Sequence, residues 1–324
     1  MPKNINVVRA HFFQALKLIL AGVLVWLLVR TLAWSEVLAL LRNAQYWWLL
    51  PYAVVVMVGN ALSVLRWQSM IIGTHVPRFW TLFCTYITAS FINNFLPGFV
   101  GGDTYRAYRL RRTDNMQLYE TMLSVVADRA TGLLGILLLA AASGTLWIVQ
   151  GEAHPLTLLM VVATAVLLIV GLFFAHFRVH IISLLSRFIP RKKYRRYAEL
   201  IERYTDGYIM RGMAWGVLFG LVGVGGANYV LFLTFNVEPP FLPYLFLALL
   251  SSVVASLPIS IGNIGIKEWA YITLFSLIGV SAPVAVAVVI TGRVMQALIS
   301  LAGVPFYFTQ SAALHRECKD GKGR

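Results

Sequence analysis

Asn93-Asn94-Phe95-Leu96-Pro97-Gly98-Phe99-Val100-Gly101-Gly102-Asp103 interrupts an apolar run that begins near residue 79. A similar break recurs at Ser256-Leu257-Pro258-Ile259-Ser260-Ile261-Gly262-Asn263-Ile264-Gly265. Proline lacks the amide hydrogen that a helix interior needs, and glycine places little restriction on the backbone, so each stretch reads as a broken helix. With the prolines superposed, Leu96 falls on Leu257, Gly101 on Gly262, Arg106 on Lys267 and Tyr108 on Trp269. The offset is constant at 161 residues (258 − 97).

The sequence around the breaks is that of a chain dissolved in lipid. Of 324 residues, 59% are apolar and 12% charged, and the mean hydropathy is +0.75, which places the chain among integral membrane proteins. Apolar segments near 14–33, 46–65, 79–97, 118–148, 156–177, 212–235, 242–279 and 283–309 are each compared with the ~20 residues that a helix needs to cross ~30 Å of hydrocarbon. They form one membrane domain, 1–324, with a first half over 10–177 and a second over 212–310. Lys3, Arg9 and Lys17 precede the first apolar run, which is read as a retained helix rather than a cleaved leader.

The net charge of +14 is explained by cytoplasmic flanks facing anionic headgroups, and no basic segment carries the pattern of a nucleic-acid binder. Nine cations lie in 178–211 (Arg178, Arg187, Arg191, Lys192, Lys193, Arg195, Arg196, Arg203, Arg211), so that loop is expected in the cytoplasm. The loops near 151–155 and 236–240 hold no Lys or Arg and are expected outside. The tail, 311–324, then ends inside, as does the N-terminus. Threading these constraints makes 79–105 enter and return on one side and 242–282 on the other. The expected fold is an all-α transmembrane bundle of about six spans and two re-entrant hairpins as an inverted repeat. Arg30 and Arg42 would lie outside in this scheme, and eight ordinary spans are the alternative.

Charges at membrane depth are costly, so each should be paired or face a cavity. They are Asp103 and Arg106 by the first break, Asp128 and Arg129 in the fourth segment, Lys267 and Glu268 by the second break, and Arg293 in the last helix. Four cations against three anions leave one positive charge. With the exposed amides of broken helix ends, this suits a phosphate headgroup. The bland alternative is structural: Asp128 with Arg106, and Glu268 with Arg293, holding the halves in register, and the Pro-Gly breaks serving only as kinks or close packing. Arg66, His75, His176 and His180 read as interfacial residues at span ends. Trp47, Trp48, Trp80 and Trp147 read as headgroup-level belts. Cys84 and Cys318 carry no evident chemistry, and no metal or cofactor site is expected.

Three motifs carry a resemblance: Asn94 to Arg106 (N-F-L-P-G-F-V-G-G-D-T-Y-R), Asp128-Arg129 with Gly132, and Leu257 to Glu268 (L-P-I-S-I-G-N-I-G-I-K-E). The chain resembles, over roughly 10–310, the lysylphosphatidylglycerol synthase transmembrane-region family of flippase-like domains. The resemblance implies a lipid-translocating module, as in multiple peptide resistance factors, where this domain moves an aminoacylated phospholipid between leaflets. Stand-alone relatives are associated with polyprenyl-linked glycan or hopanoid pathways. The motif positions are Pro97, Gly101, Gly102, Asp103, Arg106, Asp128, Arg129, Pro258, Gly262, Gly265 and Glu268. Asn263 and Lys267 stand where the family more often has Gly and Arg.

The expected function is translocation of an anionic phospholipid or polyprenyl-phosphate lipid in the cell membrane, with Asn94, Asn263, Lys267 and Arg293 joining the motif residues as site candidates. No acid/base pair, nucleophile or nucleotide loop is evident, so no enzyme is expected, and only a short tail follows the last span where a synthase domain would stand. The alternatives are a non-catalytic accessory subunit with envelope-biosynthesis partners, and a membrane lipid transferase.

Overall fold

The structure, a computed structural model, describes residues 19, 21–72, 76–95, 100–114, 116–151, 155–185, 198–256 and 263–308. These residues are helical throughout, with short turns between. Five helices are long and apolar enough to cross a membrane: α3 (Tyr46–Ser69), α6 (Leu118–Val149), α7 (Pro155–His176), α10 (Asp206–Thr234) and α13 (Ala282–Phe308). A sixth crossing would be made by α1 (Ala21–Thr31) with α2 (Trp34–Arg42), which meet at a bend of 83°. The segment between the first two apolar runs is therefore not a plain loop. α2 sets Val37 into the core and packs on α13.

The interrupted segments form two helical hairpins. In the first, α4 (Phe79–Phe95) and α5 (Val100–Asp114) run antiparallel. A Cβ on Gly101 would meet Ile92, and one on Gly102 would meet the Ala89 carbonyl, while Arg106 lies over the Tyr86 ring at 5.1 Å. In the second, α11 (Phe241–Ser256) and α12 (Ile266–Phe275) do the same. The Asn263 amide donates to the Ala255 carbonyl at the tip, and Tyr244 meets Phe275 at the base, 6.0 Å between ring centres. At 1.5 Å per residue the 10-residue α12 spans only about 15 Å and the 16-residue α11 about 24 Å, short of the hydrocarbon thickness. α4 ends at Phe95 and α11 at Ser256, again 161 residues apart (256 − 95). Each hairpin is preceded by a long helix, α3 or α10, and followed by another, α6 or α13.

Backbones approach closely where the halves join. The Gly220–Gly226 stretch of α10 winds as a π-helix, and a Cβ on Gly59 of α3 would come within 2.8 Å of the Gly223 Cα. A Cβ on Gly135 of α6 would meet Met213 O at 2.5 Å and Gly216 Cα at 2.7 Å. Small residues are how lipid-embedded helices gain contact, since burial from lipid brings little hydrophobic gain. The largest core cluster includes Tyr52, Phe232, Tyr244, Phe246, Tyr271 and Phe275. Trp147 is buried there against Phe246, correcting its reading as a belt residue, whereas Trp47 and Trp80 are exposed.

The basic stretch is partly helical. α8 (Arg178–Leu185) follows α7, a short α9 spans 198–203, and α10 begins at Asp206. Tyr204, just after α9, is buried and donates to the Met70 carbonyl at 2.7 Å. That burial, reinforced by Tyr208 nearby, raises its phenol above the usual range. His176 and His180 are exposed at this end, and His176 lies 3.5 Å from Asp206. His75 lies outside the described residues.

Candidate functional site between the two broken helices

Asp128 organises the first cluster. On α6 it is fully buried, accepting from Arg66 Nε on α3 at 2.7 Å and from an Arg106 terminal nitrogen on α5 at 2.8 Å. Arg106 also reaches Asp103 at 3.3 Å, and Arg129 closes the chain with two bonds to Asp103, at 3.1 and 2.9 Å. The Arg106 guanidinium sits 4.1 Å from the centre of the Trp67 ring, and that indole donates to Ser124 Oγ at 3.3 Å. The ring face supplies negative quadrupole charge where no water reaches. Gly132, one turn beyond Asp128, leaves room for Arg66, since a Cβ there would stand 2.3 Å from its terminal nitrogen.

This geometry corrects the reading of Arg66. It is 5% exposed and ion-paired, not an interfacial anchor. Arg66 lies in the last turn of α3, where the local sequence Val64-Leu65-Arg66-Trp67 fits an interfacial anchor equally well, and only its contact with Asp128 separates the two readings. Adding Arg66 gives five cations (Arg66, Arg106, Arg129, Lys267, Arg293) against three anions (Asp103, Asp128, Glu268), a surplus of two. The pairs named as the structural alternative, Asp128 with Arg106 and Glu268 with Arg293, both form, but each lies within a half and not between the halves. They brace each hairpin against the long helix that follows it, and in the first half against the one before.

The second cluster is built at the start of α12. Glu268 accepts from Arg293 of α13 at 2.6 and 3.3 Å and from the Gly265 amide at 2.8 Å. Arg293 also donates to the Asn263 carbonyl at 2.7 Å. Gly265 has φ = +85°, the left-handed region that glycine tolerates, and a Cβ there would meet Leu24 of α1 at 2.6 Å. Lys267 has no hydrogen bond or ion pair among the described residues; the Tyr271 ring lies 5.8 Å from its Nζ.

Two cavities adjoin these clusters. One, of about 540 Å³, is lined by Asn93 and Asn94 from the first half and Asn263, Lys267 and Arg293 from the second. Asn228, Tyr271 and Gln296 complete its polar wall. The other, of about 790 Å³, is mainly apolar, with Met122, Val126 and Leu133 in its wall and Arg66, Asp103 and Arg129 among its charged residues. Phe219, Ser252 and Ser256 line both.

Of the residues singled out from sequence, Asn94, Asn263, Lys267 and Arg293 share the first cavity, and Asp103 and Arg129 face the second. Arg106 and Asp128 are internal. Gly101 and Gly102 serve the α4–α5 contact, where the Gly102 amide donates to Asn93 Oδ1 at 2.9 Å. Pro97, Pro258 and Gly262 lie outside the described residues. Sequence reasoning missed Asn93, Phe219, Asn228 and Gln296 because it counted charges and not amides within spans. Asn228 accepts from the Tyr271 hydroxyl at 2.7 Å.

A "UPF0104 membrane protein" of Methanothermobacter thermautotrophicus is 24% identical over 329 aligned residues, covering 91% of this chain and 93% of that protein. No solved structure matches. The family profile described as "Lysylphosphatidylglycerol synthase TM region" matches residues 14–303, so the chain belongs to the lysylphosphatidylglycerol synthase transmembrane-region family.

Proposed function

We propose that this protein moves an anionic lipid between the leaflets of the cell membrane, with both termini cytoplasmic. The observation that carries the reading is the cavity lined by residues of both hairpins. Amides from both halves converge there with Lys267, which has no ion pair among the described residues, while Asp128, Arg66, Arg106, Glu268 and Arg293 are paired. Unaided flip-flop is slow because a charged headgroup must leave water. A polar cavity with surplus positive charge replaces part of that hydration, and the apolar neighbouring cavity offers a path for the chain. The hairpins re-enter from opposite faces in this scheme, as broken helices do at the midplane of inverted-repeat transporters.

Dithionite quenching of fluorescent anionic lipids in proteoliposomes tests the reading. Wild type should expose inner-leaflet lipid, and Lys267→Gln, inserted equally well, should do so at least tenfold more slowly. Wild-type rates equal to those of empty liposomes for every headgroup would overturn it. A second reading, an accessory subunit of an envelope pathway, is favoured by the complete pairing of Asp128 with Arg66 and Arg106, which is what a structural brace requires. That reading would lead if the protein binds an envelope-building partner while no lipid moves.

A further inference from the structure

The same cavity says more about the headgroup, granted the reading of it as a lipid site. Its polar lining is chemically uneven: cations and carboxamides are present, but no carboxylate lines it among the described residues. Glu268, the nearest acid by sequence, has both oxygens occupied by Arg293 and the Gly265 amide. In the neighbouring cavity Asp103 is held by Arg106 and Arg129. A cationic headgroup entering here would face Lys267 with no acid free to receive it.

The acceptor side points the same way. Asn263 is 9% exposed, and its Oδ1, buried in the wall, has no hydrogen-bond partner among the described residues. An unpaired buried acceptor costs about 1–3 kcal/mol unless something donates to it. One of its two amide hydrogens goes to the Ala255 carbonyl, and Oδ1 is the acceptor it offers an incoming ligand. Asn94 and Asn228 line the same cavity, Asn228 anchored by Tyr271 and the Val224 carbonyl. Carboxamides around an ammonium suit a phosphate flanked by hydroxyls. The phosphate accepts hydrogen bonds from the Lys267 ammonium, and a neighbouring hydroxyl donates to Asn263 Oδ1.

We infer that the cavity selects a hydroxyl-bearing phosphate headgroup, a glycerol- or sugar-phosphate, and rejects one carrying a terminal amine such as an aminoacyl ester. For a family whose name refers to a lysylated lipid, this chain is assigned the opposite headgroup charge.

Equilibrium binding to the full chain in detergent tests this without requiring transport. The probes are dihexanoyl phosphatidylglycerol, its lysyl ester, dihexanoyl phosphatidic acid and chain-free glycerophosphoglycerol. Phosphatidylglycerol should bind at least tenfold more tightly than either the lysyl ester or phosphatidic acid, and Lys267→Glu should reverse the order of phosphatidylglycerol and its lysyl ester. Wild type binding the lysyl ester or phosphatidic acid as tightly as phosphatidylglycerol, or binding none of them, overturns the inference whether or not Lys267→Glu folds. Binding without selection leaves translocation standing. Selective binding without leaflet exchange keeps this inference and removes translocation, as does glycerophosphoglycerol binding as tightly as the lipid, which makes the occupant a soluble ester.

Discussion

Replacing Asp128 with Asn tests whether the buried charge cluster holds the first half together. The side chain keeps its shape and loses its charge, so Arg66 and Arg106, each at most 5% exposed, lose the carboxylate that both contact below 3 Å. Arg66 is left with the Phe219 ring, 5.5 Å from its guanidinium, and Arg106 with Asp103 at 3.3 Å and the Trp67 ring. Breaking a buried pair in this way costs about 3–5 kcal/mol, because the unpaired charge stays buried. Unfolding in mixed micelles of increasing sodium dodecyl sulfate fraction, followed by tryptophan fluorescence, measures it. The triple variant Arg66→Met/Asp128→Leu/Arg106→Met removes all three charges and should recover most of the loss, since apolar replacements of similar volume are tolerated where single deletions are not. Asp206→Asn, which breaks the exposed contact with Arg178, should leave the midpoint unchanged. A loss below about 1 kcal/mol for Asp128→Asn would refute the assignment of Asp128 as a structural counter-ion.

Other outcomes follow from close contacts and topology. Gly135→Ala places a methyl against backbone atoms of α10 at 2.5 and 2.7 Å and should destabilise by about 1–3 kcal/mol in the same assay; an unchanged midpoint would mean that α6 and α10 are not so close. Gly265→Ala combines a left-handed backbone with a 2.6 Å clash on Leu24 and should also lower the midpoint, whereas Gly22→Ala, with nothing within 4 Å, should not. Phe219→Ala removes a side chain shared by the two cavities and should raise leaflet-exchange rates several-fold at equal insertion. Single cysteines at Gln150 and Asn236, in a background lacking Cys84 and Cys318, should react with an impermeant maleimide from outside intact cells, and one at Glu199 only after lysis. Labelling of Glu199 from outside would invert the proposed orientation.

The spans were legible because lipid imposes a simple rule: about 20 apolar residues per crossing, read directly from composition. The starts near 46, 118 and 156 agree with helices beginning at Tyr46, Leu118 and Pro155. The two breaks were legible from Pro and Gly, and the 161-residue offset survives as matching hairpin ends at Phe95 and Ser256. The α2 helix was not legible as such, because its apolar face is short and its Glu36 and Arg42 resemble loop residues until Val37 is seen packed in the core.

Charge alone told which residues needed an explanation. It could not assign partners, since a guanidinium at a span end and one turned inward have the same local sequence; only the packing of α3 against α6 turns Arg66 from a surface anchor into a ligand of Asp128. The cavity belongs wholly to the tertiary level. Asn93, Asn228, Asn263 and Gln296 are scattered along the chain as ordinary amides and gain meaning only when the packed helices bring them around one cavity with Lys267. Sequence determined the solvent, the crossings and the breaks because these depend on local composition. Pairing and enclosure depend on distances between residues far apart in the chain, and those exist only once the helices have packed.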